Sequence, residues 1–125
     1  MRSTLDALMK MQPALRRKAV LALGNKNFKE SFLLLCEVLK QDLSPVIRHE
    51  AAFILGATKN KAAMPVLINS ILTDTSDIVR HESIEALGDL GIKSKEITNL
   101  LKSLCNDKNP FIKDTAEIAL ATLKL

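Results

Sequence analysis

Gly24, Gly56 and Gly88 stand 32 residues apart, and the residues ahead of each glycine recur with it. Pro13-Ala14-Leu15-Arg16-Arg17-Lys18 aligns with Pro45-Val46-Ile47-Arg48-His49-Glu50 and with Asp77-Ile78-Val79-Arg80-His81-Glu82. With one inserted residue, Pro110-Phe111-Ile112-Lys113-Asp114-Thr115 joins the series as a fourth copy. A repeat this short cannot enclose a core of its own and buries its apolar face only against its neighbours. The period therefore predicts an all-α fold, an α-solenoid superhelix of about four helical hairpins. At 125 residues the chain has the size of one domain. We expect a single domain over residues 1–125, with repeats near 1–25, 26–58, 59–91 and 92–125.

Local signals divide each repeat into two helices. Ser44-Pro45 and Asn109-Pro110 put a capping acceptor before a proline at the first helical position, where the missing N–H costs nothing. Ser76 is the corresponding cap of the third copy. The first (A) helices are expected near 4–11, 28–40, 62–72 and 95–106, with Pro65 in the opening turn of its helix. The second (B) helices are expected near 14–24, 45–58, 77–90 and 110–123, joined by polar links such as Lys59-Asn60-Lys61 and Asp74-Thr75-Ser76. Hydrophobic residues make up 47% of the chain and aromatics 3%, with no Trp or Tyr, so the core must be built from Leu, Ile, Val and Ala.

Composition also narrows the partners. With no Trp or Tyr the chain lacks most of the aromatic platforms on which single-stranded nucleic acid stacks, and the net charge of +4 is dispersed along the chain with no basic block. Nucleic acid is not the expected partner. The longest apolar runs, Phe32 to Cys36 among them, are far below a membrane span, and no secretory leader is visible. Cys36 and Cys105 lie on different segments and read as core thiols, which gives an expected cytoplasmic, reducing location.

The two histidines of the chain, His49 and His81, occupy the same slot of adjacent repeats, and each is followed by a glutamate, Glu50 and Glu82. The outer repeats carry Arg17-Lys18 and Asp114-Thr115 in those slots. Helical periodicity draws the buried stripe through Ile47, Ala51, Ile54, Leu55 and Thr58, and through Val79, Ser83, Ala86, Leu87 and Leu90. His49 and His81 then fall opposite the stripe and Glu50 and Glu82 on its flank. Gly56 and Gly88 share the histidine face and are expected to leave open space there. Stacked helices lie ~8–10 Å apart, which lets imidazoles from adjacent repeats meet at one metal with bonds near ~2 Å. Two His and two Glu, with no cysteine nearby and positions left for water or dioxygen, suit iron or manganese better than a closed structural zinc site. Glu85, one turn after His81, is placed to orient an imidazole or a cationic substrate, or to pair with a surface cation. Arg48 and Arg80 are placed to pair with glutamates of a neighbouring repeat.

The segment from Ser44 to Asp89, with RHEAAFILG, AAMPVLINSIL and RHESIEALGDLG, resembles deoxyhypusine hydroxylase, a family of HEAT-repeat di-iron monooxygenases whose His-Glu motifs open successive B helices. That family has two such halves and four His-Glu motifs facing each other across a pseudo-twofold axis; this chain corresponds to one half. The resemblance implies that His49, Glu50, His81 and Glu82 are iron ligands or carboxylates for a substrate amine, with Glu50 and Glu82 as the catalytic carboxylates. It implies a di-iron centre shared across a homodimer, with dioxygen as co-substrate. The substrate implied is an amine-bearing, deoxyhypusine-like side chain of a translation factor. The alternative is a non-catalytic HEAT-repeat scaffold that binds a protein on its concave B-helix face and needs no metal.

Overall fold

The computed structural model describes residues 2–26 and 28–124. Among these residues there are eight α-helices and no strand: α1 (Arg2–Met9), α2 (Pro13–Leu23), α3 (Lys29–Gln41), α4 (Pro45–Thr58), α5 (Met64–Thr73), α6 (Asp77–Asp89), α7 (Lys95–Leu104) and α8 (Pro110–Lys124). A 3-10 turn at Lys61–Ala63 leads into α5 and places Pro65 in its first turn. The odd-numbered helices are the A helices and the even-numbered ones the B helices, so the chain is an α-solenoid of four hairpins. None of these helices is long and apolar enough to cross a membrane.

The ends are set where the sequence placed them, with one exception. Ser44 Oγ accepts the Ile47 N–H, Ser94 Oγ the Ile97 N–H, and Asn109 Oδ1 the Phe111 N–H. Ser76 does not cap α6 with its side chain. Instead the carboxylate of Asp74 accepts the Ser76 N–H, and the same arrangement recurs at Asp42–Ser44 and Asp107–Asn109. Gly91 closes the turn after α6 at φ 67, a left-handed conformation that costs glycine nothing.

The core is one continuous aliphatic layer between A and B helices, centred on Leu35, Leu39, Ile47, Leu55, Leu67, Ile71, Val79, Leu87, Ile97, Leu101 and Ile112. The expected stripe is buried except for Thr58, which lies exposed at the end of α4. Ser83 is fully buried in that stripe because its hydroxyl meets Ser70 Oγ at 2.8 Å.

The expected open space at the glycines is found at only one of the two central repeats. Gly56 does not leave space: a Cβ there would lie 2.7 Å from Ala86 Cα and 2.8 Å from Ala86 Cβ. The α4 and α6 backbones press together at this point, and only hydrogen on Gly56 permits the approach. Gly88, its counterpart one repeat later, has Ala119 Cβ at 3.6 Å and borders a groove.

Candidate metal centre

Parallel B helices stacked side by side cover each other's flanks, so a residue on the flank of one helix faces the next repeat. Each histidine-slot residue consequently meets the glutamate-slot residue of the following repeat. Arg17 bonds Glu50 Oε1 at 2.6 Å, His49 Nε2 lies 3.0 Å from Glu82 Oε2, and His81 Nδ1 lies 2.6 Å from Thr115 Oγ1. The flank positions are therefore less solvated than a single helix predicts. Glu82 keeps only 9% of its exposure, while the His49 and His81 side chains retain 33% and 21%.

His81, Glu82 and Glu85 offer ligand atoms that all lie within 4.8 Å of one another, and His81 Nε2 is 3.2 Å from Glu85 Oε1. His49 reaches the group through Glu82. Glu50 does not: its carboxylate is held by Arg17 on the other side of α4. Burial pushes the Glu82 carboxyl above its ordinary range; His49 draws it back, Glu85 pushes further, and His81 draws it back again. Two carboxylates beside two imidazoles are balanced by solvent where exposed, as at Glu85, and by protons or a bound metal ion where buried, as at Glu82. The oxygen and nitrogen donors, with net charge −2 when the imidazoles are neutral, match a divalent cation of the iron or manganese type. Neither thiol takes part. Cys36 and Cys105 are free and half-buried, and burial pushes the Cys36 thiol up to about 11.

The site's frame is a second ladder, of arginine and aspartate. Arg16 pairs with Asp42 at 2.7 Å, Arg48 with Asp74 at 2.9 Å, and Arg80 with Asp107 at 2.9 Å. Arg48 and Arg80 thus bind aspartates in the A–B turn of the next repeat and not glutamates. These turns come within reach because each arginine precedes the histidine slot and points to the N-terminal edge of the stack. The hydrogen bond that Arg16 donates to Asp42 dominates in raising the Arg16 pKa above its ordinary value, and the bond donated by Arg80 holds the Asp107 carboxyl below its own. The recurrence Asp42-x-Ser44, Asp74-x-Ser76, Asp107-x-Asn109 was the available sequence signal.

Beside His81 a groove of about 480 Å³ opens between α6 and α8, lined by Glu85, Gly88, Phe111, Asp114, Ile118 and Thr122 among others. The B-helix face around both histidines also exposes Val46, Phe53, Ile78, Phe111 and Ile118.

A stacked-hairpin chain with repeat-to-repeat ladders of this kind is a HEAT-repeat protein. The HEAT-repeat family model matches residues 2–88 and 32–121, and the chain belongs to that family. Its structure is similar to human deoxyhypusine hydroxylase, solved in complex with glycerol, at a TM-score of 0.81 and 27% identity. The alignment covers 98% of this chain and 44% of that one, so the chain resembles one half of such a protein. No curated protein sequence matches it.

Proposed function

We propose that this chain is an iron-binding HEAT-repeat protein that acts, as a homodimer, as a di-iron monooxygenase of the deoxyhypusine hydroxylase type. The reading is carried by one observation: the His49–Glu82 contact and the His81–Glu82–Glu85 cluster form a single strip across the two central repeats. The similarity to human deoxyhypusine hydroxylase at half its length supports the same conclusion.

Glu82, which neighbours both imidazoles, is assigned with His49 and His81 to the metal. Glu50, drawn off by Arg17, is assigned to the ammonium group of a deoxyhypusine-like side chain on a translation factor. Bound iron supplies the activation of dioxygen that hydroxylation of a C–H bond requires. The chain's own residues hold the cation between carboxylates, orient the imidazoles, and neutralise the substrate amine. The second iron and its ligands come from a second copy. The exposed Val46, Phe53, Ile78 and Phe111 beside the histidines give a twofold contact its apolar component. A cytoplasmic location fits the two free thiols.

The same apolar face also favours the scaffold reading, in which it grips another protein without metal. Metal content separates the two. Anaerobic loading with ferrous ion followed by elemental analysis is expected to give about one ion per chain. Light scattering is expected to give about 27.6 kDa, twice the chain mass of 13.8 kDa. Protein that takes up no iron replaces the enzyme reading with the scaffold.

A further inference from the structure

The fourth repeat carries no His-Glu pair, yet two of its side chains hold His81. Thr115 occupies the glutamate slot, one helical turn beyond Phe111, and its Oγ1 lies 2.6 Å from His81 Nδ1. The Thr115 hydroxyl donates to the Phe111 carbonyl at 2.8 Å, so its single hydrogen is used and Oγ1 is left to accept. The Phe111 ring stacks on the imidazole with centroids 4.3 Å apart and planes 25° from parallel. Thr115 is buried while its neighbour Asp114 is exposed. The inserted residue that makes the fourth repeat one longer precedes Pro110, so the slot is filled by a hydroxyl at the same station where α4 receives Arg17 and α6 receives His49 on carboxylates.

We propose that Thr115 and Phe111 are positioning residues for His81: Thr115 accepts the Nδ1 hydrogen and Phe111 covers the ring face, so that Nε2 is the nitrogen presented to Glu82 and Glu85. The inference rests on the metal reading of that cluster. A hydroxyl suits this role better than a third carboxylate. It fixes which nitrogen carries hydrogen without adding negative charge to a cluster that already holds Glu82 and Glu85. Among the described residues no hydroxyl takes this role at His49, whose Nε2 faces Glu82. The two imidazoles therefore differ at Nδ1 and not at Nε2: each Nε2 faces a carboxylate, and His81 alone has its ring held from behind by Thr115 and Phe111.

The test uses the whole chain, in which just two histidines need assignment. Long-range proton–nitrogen correlation spectra of wild type are expected to show hydrogen on Nδ1 of His81 both metal-free and loaded with zinc(II) as a diamagnetic probe. The His81 ring protons should lie upfield of those of His49 because of the Phe111 ring current. Thr115→Val should lose the Nδ1 signature and bind cobalt(II) about 10- to 100-fold more weakly, the usual effect of removing such a partner. Thr115→Ser should keep both, and circular dichroism should be alike for all three. Cobalt affinity and Nδ1 signal unchanged in Thr115→Val would overturn the proposal while leaving the metal site intact. A wild type without hydrogen on His81 Nδ1 overturns it whatever the metal result. A wild type with that signal, lost in Thr115→Val, but with no uptake of cobalt or iron retains the ring clamp and sinks the metal reading instead.

Discussion

His49 Nε2 and Glu82 Oε2 meet at 3.0 Å across the seam between α4 and α6, and the glutamate is the more buried partner. Burial raises the Glu82 pKa, so in metal-free protein the folded state holds this proton to higher pH than the unfolded chain does. Stability from this group is fully present below the ordinary glutamate range. It declines as pH rises through the raised value, because the unfolded state loses the proton first. Glu82→Gln, which cannot ionise but can still accept from His49, should match wild type in acid and melt higher at neutral pH. Thermal melts of metal-free protein across that range check the sign, and equal melting at neutral pH would contradict it.

The matched glycines should respond in opposite directions. Gly56→Ala drives a methyl into Ala86, whose backbone cannot yield cheaply, and should cost about 1–3 kcal/mol as overpacking. Gly88→Ala meets Ala119 at ordinary contact distance and should gain up to about 1 kcal/mol from helix propensity. Urea unfolding of both variants measures the contrast.

The two ladders differ in burial at their first rungs, Arg16–Asp42 and Arg17–Glu50, and so in consequence. Asp42→Ala leaves Arg16, 6% exposed, charged and unpaired, and should destabilise by about 3–5 kcal/mol. Arg17→Ala removes a half-exposed partner of Glu50 and should change stability by no more than about 1 kcal/mol. Chemical denaturation of the two variants side by side tests the ranking.

His81→Ala should abolish iron uptake while the helical fold survives. The ring lies outside the aliphatic layer, and losing its stack on Phe111 and its bond to Thr115 should cost about 1–2 kcal/mol. Arg17→Ala and Asp114→Ala, in the same slot of the outer repeats, should leave metal binding unchanged. Iron retained by an unfolding His81→Ala protein would place the site elsewhere.

The sequence by itself determined the repeat, the helix limits to within about two residues, the aliphatic stripe and the recurrence of a His-Glu dipeptide in two adjacent repeats. Each of these is a local or periodic property: proline and cap positions fix helix starts, and the spacing of Ile47, Ala51, Ile54 and Leu55 fixes the buried face. Tertiary structure alone decided which glutamate each histidine meets. His49 faces Glu82 and not the adjacent Glu50, and His81 rests on Thr115 and Phe111, because stacking places the histidine slot of one repeat against the glutamate slot of the next. A helical wheel treats the flank of a helix as solvent and cannot register that offset. The closeness of α4 to α6 was invisible for the same reason. Whether Gly56 opens a space or closes one depends on Ala86, 30 residues along the chain, and on how tightly two backbones pack.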